Sequence, residues 1–165
     1  MPQPPFRVLI LCTGNSARSV LAEAILNRRG AGRFQAFSAG SKPAGKVNPY
    51  ALKLLASKGY DTAGFRSKSW DEFAGAGAPE MDLVITVCSN AAGETCPIWS
   101  GAPVQIHSGY RDPAAATGTD EEILAVFSEV YDEIDQFMQV LVATDTTAIS
   151  PQELKARLMA AANND

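Results

Sequence analysis

Residues 6–19 read FRVLILCTGNSARS, and the architecture follows from this stretch. Phe6 to Leu11 is a nearly continuous short apolar run, the pattern of a strand covered on both faces within a parallel sheet. The run stops at Cys12. Beyond the loop at 13–17, Val20, Leu21, Ala24, Ile25 and Leu26 recur at helical spacing, and Arg28, Arg29 and Gly30 suit a helix C-terminus. The unit is therefore strand, tight loop, helix.

The same alternation continues outward. Phe34 to Ala39 reads as a second strand, and Asn48 and Pro49 supply a cap and a first-turn proline for a helix carrying Leu52, Leu54 and Leu55, closed by Gly59. Ser69 to Phe73 reads as a short helix or turn. Asp82 to Val87 is a third strand that ends directly at Cys88, and Pro103 to His107 is a short fourth strand. A loop at 108–118 carrying Arg111, Asp112 and Pro113 comes next. Thr119 and Glu122 form a capping box opening a long helix whose apolar face holds Ile123, Val126, Phe127, Val130, Ile134, Phe137 and Leu141. Ser150 and Glu153 form a second box, after the polar linker 143–149, and start a terminal helix over about 150–161 that either packs on the domain or frays. The expected fold class is α/β: a single domain over 1–165 with its core at about 6–142, built as a doubly wound, four-stranded parallel sheet flanked by helices. Such sheets bind ligands beyond their strand C-termini, where Cys12 and Cys88 both fall.

The 165 residues, 46% of them apolar, suffice for one continuous core. Fourteen basic and eighteen acidic residues give a net charge of −4 and are scattered, with no basic run longer than Arg28–Arg29. A nucleic-acid partner, which calls for a clustered basic face, is excluded on this ground. No secretory pattern leads the chain and no apolar run approaches the ~18 residues of a membrane span, so the expected location is the cytoplasm, with no membrane partner. The three cysteines are then read as reactive thiols, not as a disulfide framework. Seven residues separate Cys88 from Cys96, longer than most zinc spacings, and His107 is the only histidine, so no metal site is expected and His107 has no assigned role.

The loop carries the chemistry. Gly14 and Asn15 tolerate unusual backbone angles, and the N–H groups of Thr13, Gly14, Asn15, Ser16 and Ala17 at a helix start can ring a tetrahedral oxyanion. Arg18 adds a planar fork able to grip two oxygens at once. The same positive field is expected to lower the Cys12 pKa and make it a thiolate nucleophile, with Ser19 donating a hydrogen bond to its sulfur. The plainer alternative is a buried cysteine packing as a small hydrophobe.

Cys12 to Ser19, together with Asp112–Pro113, resembles the signature of the low-molecular-weight protein tyrosine phosphatases and of the arsenate reductases built on the same fold, over Val8 to about Val142. The resemblance implies that Asp112 is the general acid. Phosphatases of this group usually place aromatic residues after that Asp-Pro, where this chain has Ala114, Ala115 and Ala116, and many have a second cysteine where it has Ala17. The reductase branch is therefore implied. Cys12 attacks arsenate, Cys88 attacks Cys12 and releases arsenite, and Cys96 moves the disulfide outward to Cys88–Cys96, the bend being eased by Gly93. Thioredoxin, or glutaredoxin with glutathione, would then supply electrons with no bound cofactor, and phosphate and sulfate would compete for the cradle. Some such reductases bind potassium, and Asn15, Glu23 and Ser38 fall at positions resembling that site. The segment 66–69 lacks an acidic residue to complete it, and Lys68 opposes a cation. A phosphatase acting on phosphotyrosine or a small phosphoester is the alternative enzyme, and an oxyanion-binding or redox-sensing module the non-enzymatic one.

Overall fold

A computed structural model describes residues 4–75, 77–88, 99 and 101–163. Their elements in chain order are β1 (Phe6–Leu11), α1 (Arg18–Arg29), β2 (Phe34–Ala39), α2 (Pro49–Ser57), β3 (Leu83–Thr86), β4 (Val104–His107), α3 (Asp120–Val142) and α4 (Pro151–Ala161). Single turns of 3-10 helix occur at Trp70–Phe73, capped by Ser69, and at Pro113–Ala115, inside the loop expected at 108–118.

All strand pairs are parallel, in the order β2-β1-β3-β4. The chain steps from β1 to β2 on one side and returns to β3 on the other, so the connections diverge between β1 and β3. That divergence leaves a crevice at the strand C-termini. The continuous apolar run of β1 is buried on both faces because each face has its own cover. Val8 and Ile10 join Leu83, Ile85 and buried residues from all four helices in one cluster, whereas Leu9 and Leu11 meet Val84, Phe73, Met81 and Trp99 in another. β3 is shorter than the expected 82–87. Just outside it, Asp82 bonds the Arg7 carbonyl through its N–H (2.9 Å) and accepts the Arg7 N–H on its carboxylate (2.8 Å), while the Val87 N–H still bonds the Leu11 carbonyl (2.9 Å).

Two helices show how caps and packing divide the work. The α3 box forms as expected, with the Glu122 N–H on Thr119 Oγ1 at 3.1 Å, and Phe127, Val130, Ile134, Phe137 and Leu141 lie on its buried face. The terminal helix α4 packs and does not fray: Leu154 and Leu158 are buried in the core cluster. Among the described residues no helix is long and apolar enough to cross a membrane.

α1 and α3 are also tied by a fork-on-fork pair, Arg29 Nε to Asp135 Oδ1 and Nη2 to Oδ2 (2.8 Å). The guanidinium holds the Asp135 carboxyl below the usual carboxylate range. A depressed folded-state pKa means that the pair stabilises above the unfolded-chain value of ~3.9 and that this is lost as pH falls through the folded value. Arg29 is well exposed, so Asp135→Asn should cost about 1 kcal/mol or less at pH 7. Urea unfolding should show that difference shrinking below pH 4, and a constant difference down to pH 2 would reject the pair as its source.

Candidate active site

The register of the sheet brings two sulfurs together. Leu11 pairs with Thr86, so Cys12 leaves β1 beside the residues that lead β3 into Cys88. The Cys12 N–H bonds the Ala39 carbonyl at 3.2 Å, fixing the start of the loop to β2. Across the crevice the Cys88 sulfur accepts from the Thr13 N–H at 3.4 Å and lies 3.7 Å from Thr13 Oγ1. Cys12 and Cys88 are both buried thiols, and their side chains are near enough to interact.

That closeness corrects the expectation of a lowered Cys12 pKa. The neighbouring Cys88 side chain and then burial push the Cys12 thiol up, while the Arg18 guanidinium and the Gly14 N–H pull it down. The physical reason is charge: two adjacent sulfurs titrate as a unit, and the second ionisation puts one anion against another.

The loop between Cys12 and α1 is turned inside out relative to an ordinary surface turn. The carbonyls of Thr13, Gly14 and Ser16 take N–H groups from Lys42 (3.0 Å), Ala44 (2.9 Å) and Asn48 (2.8 Å), and the Ser67 hydroxyl also bonds Gly14 O (3.1 Å). In a trans peptide the next N–H points opposite to the carbonyl, so those of Gly14, Asn15 and Ala17 face the other side of the loop. Asn15 accomplishes the reversal at φ +45°. Ala17 offers no side-chain cap to the first turn of α1, which leaves that helix end suited to an anion.

Arg18 and Asp112 close the cradle. Arg18 Nη1 donates to the Tyr110 carbonyl (2.9 Å), and Nη2 lies 3.8 Å from Asp112 Oδ2. The other Asp112 oxygen accepts the Ala114 N–H at 3.0 Å and caps the 3-10 turn, so the acid is fixed by one oxygen and half-exposed at the other. Ser19 differs from expectation. Its buried hydroxyl takes the Asn15 side-chain amide at 2.8 Å and holds that residue's turn. His107 bonds Thr86 Oγ1 through Nδ1 at 2.8 Å, a link between β4 and β3. Cys96 and Gly93 lie outside the described residues.

Behind the loop, the atoms that a potassium ion would need are engaged. The Asn15 amide donates to Ser19 and to Ser38 Oγ (3.0 Å), and its Oδ1 accepts the Lys68 N–H (2.9 Å). Ser38 donates to Glu23 at 2.7 Å, and the nearly buried Lys68 ammonium lies 3.7 Å from the same carboxylate and bonds Arg66 O at 3.1 Å. Burial draws the Lys68 pKa down and Glu23 counters it. An amide nitrogen, a spent carboxylate and an ammonium do not make a cage for a second cation.

The sequence reading missed Gly40 and Tyr110. A side chain at Gly40 would strike the loop backbone, with its Cβ 2.3 Å from Thr13 O. The signal was present: a glycine directly after a strand beside the nucleophile's own strand marks a close backbone approach. Tyr110 is buried, acts through its carbonyl, and left no such sign.

Comparison with known proteins agrees with this geometry. The chain is 37% identical to an arsenate reductase of Halalkalibacterium halodurans over 137 residues, 83% of this chain and 95% of that protein. It is also 37% identical to an arsenate reductase of Bacillus subtilis over 127 residues, 77% of this chain and 88% of that one. Among solved structures, an arsenate reductase from Archaeoglobus fulgidus superposes with a TM-score of 0.64 at 30% identity, covering 83% of this chain and 99% of that one. With residues 7–156 also matching the family model, the chain belongs to the low molecular weight phosphotyrosine protein phosphatase family.

Proposed function

We propose that this protein reduces arsenate to arsenite with its own thiols. The observation that carries the reading is the place of the Cys88 sulfur at the oxyanion loop that begins at Cys12, where it accepts the Thr13 N–H at 3.4 Å. A phosphatase needs only the first sulfur. A reductase needs a second one within reach to take up the oxidation.

Loss of the Cys12 proton, favoured by the Arg18 guanidinium and the Gly14 N–H, places the charge on its sulfur for attack on arsenic. Asp112 assists departure of one arsenate oxygen as water, leaving a Cys12 sulfur–arsenic(V) bond. With the Cys12 charge consumed, Cys88 can ionise without opposing another thiolate. Its sulfur then attacks Cys12, the sulfur–arsenic bond breaks, and arsenite leaves with the electron pair. Two thiols have been oxidised to one disulfide and arsenic reduced by two electrons. Cys96 is the proposed resolving thiol, passing the disulfide to a thioredoxin-type donor, with glutaredoxin and glutathione as the alternative supply. The residues behind the loop support a reductase with no resident potassium.

The test is arsenite production by purified enzyme with thioredoxin and its reductase, against glutaredoxin with glutathione, in sodium and in potassium salts. Turnover with the thioredoxin system, competitive inhibition by phosphate and equal rates in the two salts are expected. Absence of arsenite with either donor would reject the reading.

A further inference from the structure

The strongest unexplained feature lies at the far end of the chain. Asn163 makes three hydrogen bonds to the segment just after β4: its N–H to Ser108 Oγ (3.0 Å), its side-chain amide to Gly109 O (2.8 Å), and its carbonyl from the Gly109 N–H (3.0 Å). Ser108 Oγ in turn donates to the Tyr110 hydroxyl at 2.9 Å, and both residues are buried. The carbonyl of Tyr110 is the one that holds Arg18, and Asp112 follows two residues later.

We propose that Asn163 is a positioning residue for oxyanion binding, and that the segment after α4 serves as an outer brace of the site. The brace is physically needed. The Ser108 and Tyr110 N–H groups fasten the inner edge of this loop to the Thr86 and Val87 carbonyls of the sheet, at 3.0 and 3.1 Å. The half-exposed Arg111 ties the loop to Glu129 and Glu133, but exposed pairs hold weakly. Asn163 supplies the outer tie, anchored by the buried Leu154 and Leu158 of α4. An unbraced loop would let Arg18 lose its fixed acceptor and sample orientations that do not face the anion. The family model matches only to residue 156, so this brace lies outside the stretch shared with the family.

The inference rests on the proposed role of Arg18 as an oxyanion ligand, so the experiment separates the two. Phosphate affinity is measured by calorimetry, and arsenate kinetics alongside it, for the full chain, Arg18→Ala, Asn163→Ala, and a chain ending at Ala162. Arg18→Ala should abolish phosphate binding; unchanged binding would overturn the site reading itself. The shortened chain should bind phosphate about tenfold more weakly and show a matching rise in KM with kcat within about twofold, and Asn163→Ala, which removes one bond of the three, should shift both about threefold. Asn163→Ala, which keeps the backbone bonds, decides the matter if the shortened chain does not fold. Unchanged phosphate affinity and KM, with or without a lower melting temperature, would reduce the segment to a stabiliser and overturn the proposal.

Discussion

Replacing Cys88 by serine should lower arsenate turnover by roughly 10³-fold or more while slow hydrolysis of an aryl phosphate survives. The two activities part at this residue because they ask different things of the same loop. Phosphoryl transfer needs the Cys12 nucleophile, the ring of amides and Arg18, all of which the substitution leaves in place. Arsenic reduction needs a second sulfur close to the first, and Cys88, whose sulfur takes the N–H of the residue after Cys12, is placed for it. An external thiol must otherwise diffuse in, forfeiting the advantage of an intramolecular partner. Cys88→Ala carries a second expectation. Removing the leading cause of the raised Cys12 pKa leaves Arg18 and the Gly14 N–H opposed only by burial, so alkylation of Cys12 should set in at lower pH than in the unmodified protein. Arsenite production within tenfold of the unmodified enzyme would sink the relay, and an unshifted alkylation profile would sink the account of the pKa.

What could be read from the letters was local. The apolar run ending at Cys12, the capping box at Thr119, the serine cap at Ser150 (without the reciprocal Glu153 bond of a full box) and the Asn48–Pro49 start of α2 announce themselves because their signals lie within a few residues. The position of Cys12 and Cys88 at strand ends was legible for the same reason. Their closeness was not, since it depends on the pairing of Leu11 with Thr86, a relation across the sheet. The expected Cys12 pKa went the wrong way chiefly on that point, with burial adding to it. Ser19 was misread because adjacency to Arg18 says nothing about where a hydroxyl points, and the left-handed turn at Asn15 places that residue's amide upon it. Lys68 was legible as an obstacle to a cation, but its partnership with Glu23 joins positions 45 residues apart and waits on the fold.

Gly40→Ala should cripple the oxyanion site although Gly40 itself contributes no group to it. An added Cβ would lie 2.3 Å from Thr13 O, 2.6 Å from Cys12 O and 3.0 Å from Asn15 N, all of them backbone atoms, with no flexible side chain to swing aside. Nor can Gly40 retreat. Its N–H is bonded to Lys68 O at 3.0 Å and its carbonyl to the Trp70 N–H at 2.9 Å, and the strand before it is paired along its length with β1. The loop therefore has to give way, by about 1 Å if van der Waals contact is to be restored, and a displacement of that size at a reacting group costs on the order of 10² in rate. Overpacking of this kind also destabilises by about 1–3 kcal/mol. Gly64→Ala is the matched control, because a Cβ there meets nothing within 4 Å. Phosphate calorimetry and urea unfolding of the two variants should show weakened binding and lower stability for Gly40→Ala alone. Equal phosphate affinity in both would mean that the loop is not held against β2 at this point, and that its amides take their inward orientation from the 42–48 segment alone.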